Sequence, residues 1–307
     1  MRSPVALFIF NRPAHTRRVF EAIAQQKPSC LLVVADGPRS EAEAHVCAEA
    51  RAIVDQVGWH CDVRTNFSDT NLGCKKRMSS GLSWVFDQCG EAIILEDDCV
   101  PGASFFQFCD ELLERYRFDE RVMMITGDNL SPDPLPNGYS YCFSRTLYCW
   151  GWASWRRAWR HYDLEMKLWP TVRDTDWLSA LLWDPARESY WKRIFDMAHA
   201  GSIDTWDYQW VLACWLQSGL TVVPARNLVT NIGFGSTATH TTETEHPFSR
   251  IPVVELPHPL VHPPYIVQNP SAEREIFRML TRGTNLPARL NRRARTLTSA
   301  AARRFLR

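Results

Sequence analysis

The run Ala92-Ile93-Ile94-Leu95-Glu96-Asp97-Asp98-Cys99-Val100-Pro101 constrains this chain more than any other. Four apolar residues stop at three consecutive acids, and a proline follows. A short apolar run closed by a turn signal predicts a buried strand of a parallel sheet. In open α/β sheets ligands bind outside the carboxyl ends of the strands, so these acids fall where a ligand is expected. Three adjacent carboxylates repel one another unless a cation or hydroxyl donors receive them. A divalent cation carrying a nucleotide diphosphate is the simplest occupant. A helix start also favours acids, but three in a row exceed what capping requires.

The preceding sequence alternates strand and helix signals. Strands are expected at 5–10, 30–35 and 61–65, and helices at 13–26, opened by Pro13, at 40–57 and at 74–89. Asp36-Gly37-Pro38 and Asn71-Leu72-Gly73 read as turns. After Pro101 come a helix to about residue 117, a strand at 122–126, and a proline-rich loop at 131–138. Trp152, Trp155 and Trp159 are spaced for one helical face, a helix is expected at 205–217, and a strand at 221–224. Residues 233–246 are polar and glycine-rich, the composition of a loop or lid. This alternation predicts a Rossmann-like, mostly parallel sheet flanked by helices.

Composition narrows the function classes. At 307 residues the chain can bury one large α/β domain, and a formal net charge of +1 argues against a nucleic-acid partner. Most of the 13 tryptophans fall between Trp150 and Trp215, as core or as a platform for sugar rings. The ten cysteines form no C-x-x-C pair and neighbour no histidine at zinc spacing, so buried thiols in a reducing cytosol are expected. No apolar stretch reaches membrane-spanning length. From 281 to 307 the tail carries eight arginines and no acid, suited to a solvated terminus or to peripheral contact with anionic lipid at the inner face of a membrane. The expected organisation is a large domain over 1–245, divided near 127 into a nucleotide-sugar half and an acceptor half. A helical basic extension at 246–307 would follow.

Several chemistries are excluded. The acid run does not supply an Asp-x-Asp with a leading nucleophile, since its alternating positions are Glu96 and Asp98 or Asp97 and Cys99, and an EF-hand loop, a G-x-G-x-x-G after the first strand and a Walker loop are absent. Phosphates must then be met by side chains and metal.

Several segments together resemble the GT-A-fold nucleotide-sugar glycosyltransferases, in particular the N-acetylglucosaminyltransferase I type, family 13. They are Pro4 to Pro13, Val33 to Gly37, Ile94 to Asp98, Phe105 to Phe108, Thr126 to Asn129, Trp150-Gly151-Trp152, Trp206 to Trp210 and Thr221 to Gly235. The resemblance spans about residues 4–240. It implies a metal-dependent, inverting transfer from a nucleotide diphosphate sugar, UDP-linked by preference, to a glycan or glycolipid hydroxyl. Phe10, Asn11, Arg12, Asp36, Arg77, Glu96 and Asp97 would then contact the donor, and Asp98 would hold Mn²⁺ or Mg²⁺ with His240 as a further ligand. Asp207 would be the general base, with Asp204 the alternative. Asn11 replaces an acid of the family and Arg77 a histidine. The missing luminal framework suggests a bacterial cytosolic relative. Two rivals stay open, a sugar nucleotidyltransferase on the same fold and a non-enzymatic glycan-binding module.

Overall fold

A computed structural model describes residues 1–130, 138–234 and 251–271, together with 273, 274 and 277. The first half alternates as expected: β1 (Val5–Ile9), α1 (Pro13–Gln26), β2 (Cys30–Ala35), α2 (Glu41–Ala52), β3 (Asp62–Phe67), α3 (Gly73–Gln88) and β4 (Glu91–Glu96). The acids lead into a short strand, β5 (Cys99–Pro101), and then α4 (Ala103–Arg115) and β6 (Val122–Thr126). Next come β7 (Tyr141–Ser144), β8 (Trp152–Trp155), α5 (Arg156–Trp159), α6 (Trp169–Val172), α7 (Trp177–Leu182) and α8 (Pro185–His199). The last elements are α9 (Asp207–Leu216), β9 (Leu220–Pro224) and β10 (Val229–Asn231).

Eight strands form one sheet in the order β3-β2-β1-β4-β8-β6-β9-β7, and β10 pairs with β5 in a small second sheet. The sheet is the expected Rossmann-like α/β layer flanked by helices. Strand periodicity sorts the side chains into two cores. Val5, Leu7 and Ile9 face α1 and α4, packing with Phe20, Phe105, Phe108 and Leu112, whereas Ala6 and Phe8 face the side of α3 and α9. A methyl group on Gly81 would lie 2.6 Å from both Phe8 and Val34, so α3 approaches the sheet this closely only with glycine there.

Two expectations need correction. Trp152 and Trp155 belong to a strand, not to a helix. β8 runs antiparallel between β4 and β6, with Trp152 opposite Ile94 and Thr126. Three residues apart on a strand, the two indoles point to opposite faces, and each sits in a different core. Aromatic side chains favour such doubly covered strands. The compact unit also runs from Met1 to Asn269, so residues 251–269 belong to it rather than to an extension starting at 246. The basic tail 281–307 and most of the polar loop lie outside the described residues.

All ten cysteines are free. Among the described residues no helix is long and apolar enough to cross a membrane.

Candidate active site

β1, β2, β4 and β6 end on the same edge of the sheet, which gathers Phe10–Arg12, Asp36, Glu96–Asp98 and Asp128. The three acids emerge from β4 at its carboxyl end, as their sequence context demands.

Arg12 is the cation that meets them. Its Nη2 bonds Asp97 Oδ1, and its Nη1 lies 2.9 Å from Asp98 Oδ2. Asp97 is almost fully buried, and its second oxygen accepts the Phe10 N–H at 3.3 Å. Burial alone would lower the Arg12 pKa, but the two carboxylates more than offset it and hold the guanidinium charged. Burial raises Asp97 above the usual carboxylate range, with Arg12 pulling the other way. Glu96 makes no ion pair among the described residues, although Arg12 offsets part of its shift. Burial first, then Asp98 and Asp97, push its pKa up to about 8. The β10 segment closes over this group: Ile232 N–H donates to the Asp98 carbonyl at 2.8 Å. A Cβ at Gly233 would sit 2.8 Å from Asp98 Cγ and 3.0 Å from Arg12 Nη1, so a side chain there would displace the pair.

Asp207 opens α9 on the far side of the acids. Trp206 stacks on Trp152 with centroids 5.6 Å apart, and Trp152 lies opposite Ile94 near the end of β4. That stack brings the start of α9 to the acid edge. Asp207 contributes to the raised pKa of Glu96, and with Glu96 it also raises the thiols of Cys74 and Cys149, for which burial is the larger cause. Burial, then Asp207, raises the Tyr162 and Tyr190 hydroxyls. Asp207 is thus within electrostatic reach of Glu96 and of the Cys74, Cys149, Tyr162 and Tyr190 side chains. The Thr205 hydroxyl donates to Asp207 Oδ1. The alternative base, Asp204, is committed elsewhere: its Oδ1 accepts the Lys75 N–H at 3.3 Å, at the start of α3. The two aspartates do not form the cap pair their spacing suggests, because α9 begins at Asp207 itself.

Three other sequence candidates serve the scaffold. Both oxygens of Asp36 are taken, Oδ1 by the N–H groups of Gly37 and Leu72, each at 2.9 Å, and Oδ2 by Asn71 Nδ2 and Gly73 N–H, each at 3.1 Å. Four donors fill a carboxylate's acceptor sites, so Asp36 fixes the 71–73 turn to the end of β2 and has none left for a nucleobase. Asp36→Ala is expected to cost about 1–3 kcal/mol, the penalty for stranding buried donors, read as a lowered urea midpoint. Arg77 is buried and spends its guanidinium on the Ala35 carbonyl at 3.1 Å and on Asn66, tying the ends of β2 and β3 together. It does not reach toward the acids as a phosphate contact would. Asn11 donates to Glu43 Oε1 at 2.6 Å and so leans toward α2. His240 lies outside the described residues.

Asp128 is a site residue whose importance the sequence understates. It is fully buried; its Oδ2 accepts the Trp150 N–H at 3.0 Å, while Oδ1 has no partner. Burial raises its pKa well above the ordinary aspartate value, with the Trp150 N–H and the Thr126 hydroxyl pulling the other way. It pins the Cys149–Gly151 segment beside the acids.

The fit to a divalent cation follows from the remaining donors. Asp97 is spent on Arg12 and Phe10, and one Asp98 oxygen on Arg12. Asp98 Oδ1 has only the weak Cys99 thiol at 3.4 Å. Among the described residues no three His, Cys, Asp or Glu side chains converge on a metal position. Mg²⁺ is commonly held by one or two carboxylates, with substrate phosphate and water completing its shell. A shared site of that kind fits Asp98, and a closed protein cage does not.

No protein-family model matches the chain, and no curated protein matches it. Solved structures overlap it weakly. The galactosyltransferase LgtC, in complex with donor and acceptor sugar analogues, is 12% identical over 56% of this chain and 65% of its own, with a TM-score of 0.35. Mouse xyloside xylosyltransferase 1 is 12% identical over 68% of this chain and 80% of its own, at 0.34. A UDP-glucose pyrophosphorylase complexed with UDP-glucose is 10% identical over 48% and 64%, at 0.27. The chain spans about 65% of the length of LgtC. Overlaps this slight carry no argument about chemistry, which rests on the site itself.

Proposed function

We propose that the chain is a GT-A-fold glycosyltransferase that moves a sugar from a nucleotide diphosphate sugar, UDP-linked by preference, to a hydroxyl of a glycan or glycolipid. The observation that carries this reading is the group of three acids at the carboxyl end of β4, two of them bridged by Arg12.

The chemistry follows from charge. The acceptor hydroxyl gives its proton to Asp207 as its oxygen attacks the anomeric carbon. The bond from that carbon to the diphosphate oxygen breaks on the opposite face, so the configuration inverts. Negative charge then builds on the departing diphosphate. Arg12 is the protein cation nearest the acids and can turn toward that charge. A Mn²⁺ or Mg²⁺ ion held by Asp98 would supply Lewis-acid stabilisation of the same oxygens. Glu96, with its raised pKa, can remain protonated and donate a hydrogen bond to a donor hydroxyl.

The loop after β1, Asn11-Arg12-Pro13-Ala14, is not the glycine-rich loop expected of a nucleotidyltransferase. The separating experiment supplies UDP-sugars with a panel of glycan acceptors and, in parallel, UTP with sugar phosphates. Release of UDP in the first mixture supports the proposal. Release of pyrophosphate in the second, without UDP in the first, would replace it with nucleotidyl transfer.

A further inference from the structure

A second recess lies on the opposite edge of the sheet. β4 and β6 both run antiparallel to β8, so the turn leading into β6 is at the far edge from the acids. A recess of about 280 Å³ opens there, lined by Arg115, Tyr116 and Arg121 on one side and by Pro263, Pro264, Tyr265 and Ile266 on the other. Pockets for drug-sized ligands run from about 300 Å³ upward, so this one suits a single sugar ring with a charged substituent.

Its charge is one-sided. No carboxylate lines it. Arg121 is paired with Asp119, at 2.9 and 2.7 Å. Among the described residues Arg115 makes no ion pair; its guanidinium lies 5.8 Å from the Tyr116 ring centroid and hydrogen-bonds the Tyr116 and Tyr141 side chains, which leaves part of its five-donor fork for a ligand. A cation at the end of α4 is favourable for the helix dipole, which explains why Arg115 is tolerated there but not the recess in front of it.

The walls are fixed. The Tyr116 and Tyr141 hydroxyls are 2.6 Å apart, Tyr141 meets His262 Nδ1 at 2.9 Å, and His262 Nε2 lies 3.0 Å from Glu111. Glu111 is the acid on α4 one turn before Arg115, and His262 and His258 hold it, the latter at 3.5 Å. The Tyr265 ring stands edge-on to Tyr139 at 6.1 Å and is 47% exposed, which leaves an open aromatic face.

We infer that this recess is a second ligand site, remote from the acid edge, that binds a sugar ring bearing an oxyanion. Arg115 takes the anion, with Arg121 beside it, and Tyr265 takes the apolar face of the ring. A phosphorylated sugar and a sugar carboxylate share this chemistry.

The test uses the full chain and measures binding of glucose 6-phosphate and of glucuronic acid by calorimetry, with glucose and inorganic phosphate as controls. Saturable binding of either charged sugar supports the site if Arg115→Gln weakens it by about tenfold or more and Asp98→Ala leaves it unchanged. The tighter of the two identifies the anion. Tyr265→Ala should weaken the charged sugars and not inorganic phosphate. Both substituted residues are on the surface, and an unaltered melting temperature shows that neither variant has unfolded. The inference is overturned if neither sugar binds, if Arg115→Gln binds like the parent, or if Asp98→Ala rather than Arg115→Gln abolishes binding. It is also overturned if inorganic phosphate matches both sugars and Tyr265→Ala changes nothing. None of these readings depends on donor binding or turnover, so failure here is separable from failure of the transferase proposal.

Discussion

Asp207→Asn is expected to lower kcat by about 10²–10⁴-fold, the usual contribution of a positioned general base, while leaving UDP affinity within a factor of two or three. The substitution keeps the shape of the side chain, and the Thr205 hydroxyl still has an oxygen to bond. What it removes is the only capacity asparagine lacks, that of taking the acceptor proton. Because Asp207 also raises the pKa of Glu96, the variant should bring the upper limb of the activity profile to lower pH. A structural role would instead lower the melting temperature and weaken nucleotide binding. The companion Asp204→Asn change should act on stability through the start of α3, where Lys75 N–H loses its charged acceptor, with kcat little changed. Initial rates and UDP calorimetry on the two variants side by side separate the roles.

Arg12→Met is expected to destabilise the fold by about 3–5 kcal/mol, the cost of leaving a buried carboxylate unpaired. Asp97 carries that cost. Its side chain is 3% exposed, and without Arg12 only the Phe10 N–H remains to receive it. The pH dependence follows with a definite sign. Glu96 and Asp97 both have folded-state pKa values raised above their ordinary ones, so between those limits the folded state binds more protons than the unfolded. The stability that these two groups contribute is therefore fully present below about pH 4 and is lost as pH rises toward about 8, where Glu96 ionises, whereas carboxylates held low, such as Glu43, Asp110 and Asp196, act in the opposite sense at acid pH. Removing Arg12 removes the one lowering influence on Asp97 that comes from a cation, so the loss with rising pH becomes steeper. Urea midpoints at pH 5 and pH 8 in EDTA check this. A variant equally stable at both pH values, and close to the parent, would show that Arg12 is not the counter-ion of the acids.

The acid edge was legible because its signal is local: four apolar residues and three acids specify both the strand and which of its ends carries charge. The partners of those acids were not. Arg12 is 85 positions from Asp97, and nothing in the sequence says that a guanidinium already bridges two of the three carboxylates. Asp36 falls at a strand end and Arg77 inside the expected 74–89 helix, but their partners, the 71–73 turn for Asp36 and the Ala35 carbonyl and Asn66 for Arg77, are brought close only by the folded chain. The position of the start of α9, which carries Asp207, depends on the Trp206–Trp152 stack, a contact 54 positions apart. The spacing of Trp152, Trp155 and Trp159 matches one face of a helix, whereas both faces of β8 are buried, and only its place between β4 and β6 reveals that. β7 is four residues long, too short for its alternation to stand out.

The most direct test is calorimetry of UDP with the full chain, with and without Mn²⁺, repeated on Asp98→Ala. The expected result is nucleotide binding that Mn²⁺ tightens in the parent and leaves unchanged in the variant. UDP binding that is absent from the parent, or equally Mn²⁺-dependent in parent and variant, would contradict a diphosphate site at the carboxyl end of β4.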